Sequence, residues 1–214
     1  MVEKSKSSSV TGGPRPGRPK DPEKSWQILE AAGDLFMAQG LKTTSMDAIA
    51  KRAGVSKQTL YSHFKNKDDL FSAVLRWKMN QHQFSDEAPI EFSGDLETDL
   101  NLFGQHFIGL LVDPEACAMF RSVIGESPNY PRVSRLFYEN GPQRIREILR
   151  AYLAEQGVQD PEFHAGLFTG ALNGELHMSA MMNLDEVPPR RELNQYVARV
   201  VKVFLPLFRE KRAT

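Results

Sequence analysis

The chain has 214 residues, with 27 Lys and Arg against 27 Asp and Glu, 41% hydrophobic and 25% charged: the balance of a soluble globular protein of one or two domains. Its single cysteine, Cys117, excludes an intramolecular disulfide and a cysteine-rich metal site, and points to a reducing, intracellular compartment. No apolar run approaches the ~20 residues of a membrane span, and the polar, Ser-rich opening does not read as a secretory signal, so secreted and membrane-spanning proteins are not expected.

The zero net charge hides an asymmetry. Residues 1–80 hold 14 Lys and Arg against 8 Asp and Glu, and the remainder holds 13 against 19, as in a basic module that meets a polyanion joined to an acidic body. Half of residues 1–20 are Ser, Gly or Pro interleaved with basic residues, a composition that predicts a disordered basic tail. Within it, Gly17-Arg18-Pro19 resembles the core of an AT-hook, in which Arg18 would enter a narrow A·T-rich minor groove. Pro16 stands where an AT-hook has Arg, and a solubilising tail is the alternative.

Asp21-Pro22-Glu23 starts the first helix, with Trp26, Leu29, Ala32, Leu35 and Phe36 as its apolar stripe and Gly40 as its stop. Thr44, three residues before Asp47, is expected to cap a short second helix burying Ile49, Ala50 and Ala53 and ending at Gly54. Ser56 caps a third helix with Leu60 and Phe64 inward. Asn66 caps a fourth whose apolar side is Leu70, Phe71, Val74 and Leu75. Longer helices follow over 96–112, 114–125, 130–156 (broken near Gly141-Pro142), 161–182 and 188–211, so the fold class is all-α.

Ala50, Gly54 and Leu60 define a helix-turn-helix: a small residue at the crossing, a glycine for positive φ, and a plug in the angle between helices. The second of these helices displays Lys57, Gln58, Tyr61, Ser62 and His63, groove-competent groups with no acid among them. The segment from Thr43-Thr44-Ser45-Met46 through Ala53-Gly54-Val55-Ser56 to Phe64-Lys65-Asn66-Lys67 resembles the signature of the tetracycline-repressor (TetR) family. Phe120-Arg121-Ser122-Val123-Ile124-Gly125-Glu126-Ser127, Phe137-Tyr138 and Gly141-Pro142 resemble its AefR-like C-terminal group.

The resemblance implies a DNA-binding domain over 21–82 (motif 45–64) and an effector-binding and dimerisation domain over 83–214. It places phosphate contacts on Thr44, Tyr61, His63 and Lys67, with Ser56 and Lys57 beside them, and base contacts on Lys57, Gln58 and Tyr61. Gln58 stands where the family often has a small residue, and its amide could pair with adenine. Ser62 replaces a frequent aromatic. In a family that dimerises through its last two helices, Gly166, Gly170, Gly174, Tyr196, Val200 and Phe204 are expected at a homodimer interface. An effector pocket among the middle helices would take its lining from Phe103, Phe107, Leu110, Met119, Phe120, Val123, Phe137 and Phe168, with His106, Asn173 and His177 as polar handles. Its apolar make-up implies a small hydrophobic ligand.

The implied function is a cytoplasmic, bacterial transcriptional repressor that binds a palindromic double-stranded operator as a homodimer and leaves it when the ligand binds. No enzyme signature or metal-ligand spacing occurs among the five His, and neither a cofactor nor a membrane partner is expected. The alternatives are a sequence-indifferent architectural DNA binder, or a regulator controlled by a protein partner.

Overall fold

The computed structural model describes residues 22–209, apart from 88 and 185, and these form an all-α protein. The helices are α1 (Pro22–Thr43), α2 (Met46–Arg52), α3 (Lys57–His63), α4 (Lys67–Gln81), α5 (Leu96–Leu111) and α6 (Pro114–Glu126). They continue as α7 (Pro131–Asn140), α8 (Pro142–Glu155), α9 (Pro161–Leu172), α10 (Glu175–Met182) and α11 (Arg190–Arg209). No helix among the described residues is long and apolar enough to cross a membrane. The tail with Arg18, the Asp21 cap and Lys211 lie outside the described residues.

The buried row of α1 is Ile28, Ala32 and Phe36, four residues apart. Trp26 does not join it: at ~100° per residue it sits about a third of a turn away, 51% exposed, with its ring edge-on to Trp77. Gly40 breaks the helix as expected, at φ 82° and ψ 164°, a conformation that side chains resist. Thr44 is not the cap of α2. It is 1% exposed and its hydroxyl donates to the Gly40 carbonyl at 2.7 Å, while Ser45 accepts from Ala48 N. Two adjacent hydroxyls compete for that role, and the break at Gly40 turns the first one inward.

The turn between α2 and α3 follows the expectation. Gly54 adopts φ 66°, Val55 N donates to Ala50 O, and Ser56 accepts from Thr59 N. Leu60 and Phe64 join Ile28, Phe36, Ile49, Leu70 and Phe71 in one apolar cluster, which Met119, Val123 and Val133 of α6 and α7 complete.

A second cluster gathers α5, α8, α9 and α11 around Phe84, Phe103, Leu149, Phe168 and Val197. A closest approach sits at Gly104 of α5, where an added Cβ would lie 2.5 Å from Val197 Cγ1 of α11. Asp99 is fully buried at the start of this body and accepts from Ser93 N, Ser93 Oγ, Gly94 N and Tyr152 Oη. Burial alone would raise its carboxyl pKa, but these four donors outweigh it and lower the value.

The single helix expected over 161–182 is two. Gly174 leaves helical geometry at φ −84°, ψ −133°, and Tyr196 Oη donates to Ala171 O at 3.0 Å, occupying a carbonyl at the end of α9.

Candidate nucleic-acid interface and ligand cavity

On α3, Lys57, Gln58, Tyr61 and Ser62 are exposed along one side, with Tyr61 at 51%. The Lys57 ammonium reaches back 2.6 Å to Asp47, an exposed pair that exchanges readily with solvent or an anion. Ser62 turns its hydroxyl onto Thr59 O, and Ser56 is engaged in capping. His63 is half-buried beside Phe64. Thr44 has no surface from which its hydroxyl could reach a phosphate, which corrects the contact expected of it. Lys67 donates to Lys42 O at 3.0 Å and Thr44 O at 2.7 Å, so it closes the end of α1 while staying partly exposed. Burial lowers its pKa, and the carboxylates of Asp68 and Glu126 oppose the shift.

A cavity of about 390 Å³ opens between this head and the helical body. Phe107, Leu110, Met119, Phe120, Phe137, Asn173 and His177 line it as the sequence led one to expect. Phe103, His106, Val123 and Phe168 do not. Phe103 and Phe168 are closed inside the body's apolar cluster, and Val123 lies in the head's. His106 stands apart from the lining, its pKa lowered by burial and then by Arg190 and His82.

The residues missed include those of the head itself, Met37 of α1 and Val74, Leu75, Trp77 and Lys78 of α4, and in the body Leu111, Ala116, Ile145, Arg146 and Thr169. Gly166 and Gly170, expected at a homodimer interface, line the cavity as well. No described helix packs on them, since a Cβ at either would meet nothing within 4 Å. Near the cavity Lys78 lies 2.8 Å from Glu115 and 3.2 Å from Asp113, which also faces His82. Burial would raise the Asp113 carboxyl, but His82, Ala116 N and Lys78 together hold it well below the carboxylate range.

One helix ties this cavity to the head. The Glu126 carboxylate at the end of α6 accepts from Leu41 N and Lys42 N, each at 2.9 Å, and Ser122 Oγ donates to Phe36 O at 3.0 Å. An added Cβ at Gly40 would lie 2.6 Å from the Glu126 carboxyl carbon. No group of His, Cys, Asp and Glu among the described residues could hold a metal ion.

Two family models match: "Bacterial regulatory proteins, tetR family" over residues 28–74, and "AefR-like transcriptional repressor, C-terminal domain" over residues 98–210. The uncharacterized HTH-type transcriptional regulator YvkB of Bacillus subtilis is 30% identical, the match covering 82% of this chain and 94% of the relative. The same organism's "Fatty acid metabolism regulator protein" is 29% identical, over 66% of this chain and 71% of the relative. Among solved structures, "Flavonoid-responsive Regulator FrrA" is 31% identical with a TM-score of 0.69, covering 87% of this chain and 97% of its own.

Proposed function

The chain belongs to the tetracycline-repressor family of DNA-binding transcriptional regulators, and on that footing we propose that it is a homodimeric repressor released from a palindromic operator by a small, mainly apolar ligand. The observation that carries the reading is the cavity's position. Its wall is shared between α1 and α4 of the DNA-reading head and α5 to α10 of the body, so an occupant touches both at once. The proposed domains meet across that wall, the head at 21–82 and the body at 83–214. A flavonoid-responsive regulator and a fatty acid metabolism regulator among the relatives support an organic effector of low polarity.

Lys57, Gln58 and Tyr61 are proposed as the base-reading side chains, with Ser56, His63 and Lys67 toward the phosphates. The proposed twofold interface is the outward face of α9 and α11. Phe163 and Leu167 lie one turn apart on α9, and Val203 and Leu207 one turn apart on α11, all exposed. Val200 and Phe204 flank them half-buried, while the Tyr196 hydroxyl is turned inward to Ala171 O. Two heads fixed by such an axis read two half-sites, which one seven-residue recognition helix cannot do alone.

The experiment is selection of duplexes from a random pool by the purified protein. Enrichment of a palindrome supports a dimeric, sequence-specific regulator; enrichment of no sequence, with binding that vanishes as salt rises, refutes it in favour of an architectural binder. A ligand coupling of ~1–3 kcal/mol would then lower affinity for the selected operator ~5–150-fold.

A further inference from the structure

Three rings on the cavity wall lie nearly parallel. Phe120 of α6 stacks on Phe137 of α7 with centroids 5.1 Å apart and planes at 7°, and on His177 of α10 at 5.7 Å and 17°. His177 is fixed in tautomer as well as in plane. The Leu111 carbonyl, 2.6 Å from Nδ1, can only accept, so Nδ1 carries the proton. In the neutral ring Nε2 is then a bare acceptor, and no described residue donates to it.

Another stretch of the wall has no side chains. Gly166 and Gly170, one turn apart on α9, leave their stretch of the lining flat and unfilled. Charge supplies a third constraint. The two cations in the lining, Lys78 and Arg146, already face carboxylates, Lys78 those of Glu115 and Asp113, and Arg146 that of Glu162 at 3.5 Å. Among the described lining residues no Lys or Arg is left to neutralise an anionic headgroup, and burying a carboxylate without one is costly.

We propose that the occupant is a non-anionic, planar aromatic molecule bearing a hydroxyl group, its ring lying beside His177 in the same layer, against Phe120 and over the bare face of α9, with its hydroxyl donating in that plane to Nε2 of His177. The parallel rings set the planarity, the paired cations leave no counter-charge for an anion, and the bare acceptor calls for the hydroxyl. The proposal rests on the cavity being the effector site, and it adds the chemical class.

The test titrates the full chain calorimetrically with 2-naphthol, naphthalene and decanoate. 2-Naphthol binds, naphthalene binds about 3–10-fold more weakly for want of one hydrogen bond, and decanoate does not compete. His177→Phe keeps a ring in the array and removes the acceptor, so it erases the difference between the two ring compounds. Gly170→Leu fills the cavity from a position where new atoms have room, so it keeps the parent's circular dichroism, unfolds at a urea midpoint no lower than the parent's, and abolishes binding. Decanoate binding as tightly as 2-naphthol, no binding by either ring compound, or an undiminished 2-naphthol preference in His177→Phe overturns the proposal. Operator affinity is measured on the same samples. If 2-naphthol binds as described and operator affinity does not change, the ligand class stands and the regulatory reading falls.

Discussion

Replacing Gly40 by Ala tests how the head is held. The backbone there has φ 82° and ψ 164°, a region essentially reserved for glycine, so any side chain costs about 1–3 kcal/mol in strain. The new Cβ would also sit 2.6 Å from the Glu126 carboxyl carbon and would push that carboxylate off Leu41 N and Lys42 N. Charge-assisted hydrogen bonds contribute about 1.5–3 kcal/mol each, and these are partly exposed, so about 1–2 kcal/mol is expected for the two together. Gly40→Ala should therefore cost about 2–5 kcal/mol, and Glu126→Ala about 1–2 kcal/mol. Because the first substitution already displaces the carboxylate, the double variant should fall short of additivity by about 1 kcal/mol or more. Urea unfolding of the four proteins at constant m-value measures the cycle. Additivity within about 0.5 kcal/mol would refute the argument that the two residues share one contact.

Tyr152→Phe removes one of four donors from buried Asp99 and should cost about 1–3 kcal/mol by urea unfolding. Since those donors lower the folded pKa of Asp99, their contribution is present above the unfolded value of about 3.9 and is lost as pH falls through the lower folded value. Acid unfolding of Tyr152→Phe should then begin at higher pH than in the parent. Gly104→Ala should lower the thermal midpoint, since forcing α5 off Val197 costs about 1–3 kcal/mol; a companion Val197→Ala should recover part of that loss. Gln58→Ala should leave stability unchanged and relax preference at one position of each half-site by about 1–3 kcal/mol, read by repeating the duplex selection; unchanged preferences at every position would exclude Gln58 as a reader.

The helix-turn-helix was legible because its determinants are local. Gly54 needs only its own φ, and Ser56 and Asn66 cap through the amides three residues on. The phase of α1 was not, because Trp26 and Ile28 are both apolar and only the neighbouring helix decides which is covered. Nor was the break before Gly174, which is sustained by a hydroxyl from α11, far along the chain. Seven of the eleven expected pocket residues line the cavity, drawn from the apolar faces of middle helices. The contribution of α1 and α4 is not legible because it depends on which body helices pack on the head, whose apolar cluster takes Met119, Val123 and Val133 from α6 and α7.

That shared packing bears on how an occupant would be sensed. The segment from Phe36 to Thr44, from which α2 hangs, is held on two sides: by Ser122 and Glu126 of α6, and by Lys67 at the start of α4. Both helices also line the cavity, α6 through Ala116, Met119 and Phe120, and α4 through Val74, Leu75 and Lys78. The proposed coupling of ~1–3 kcal/mol reaches beyond the ~1–2 kcal/mol expected of the two bonds of Glu126, so on the proposed reading α4 carries part of the signal beside α6. Glu126→Gln, which keeps the shape and removes the charge, should thus weaken the ligand's effect on operator binding without abolishing it, measured as the ratio of operator dissociation constants with and without ligand. A ratio equal to the parent's would place the coupling in α4 alone.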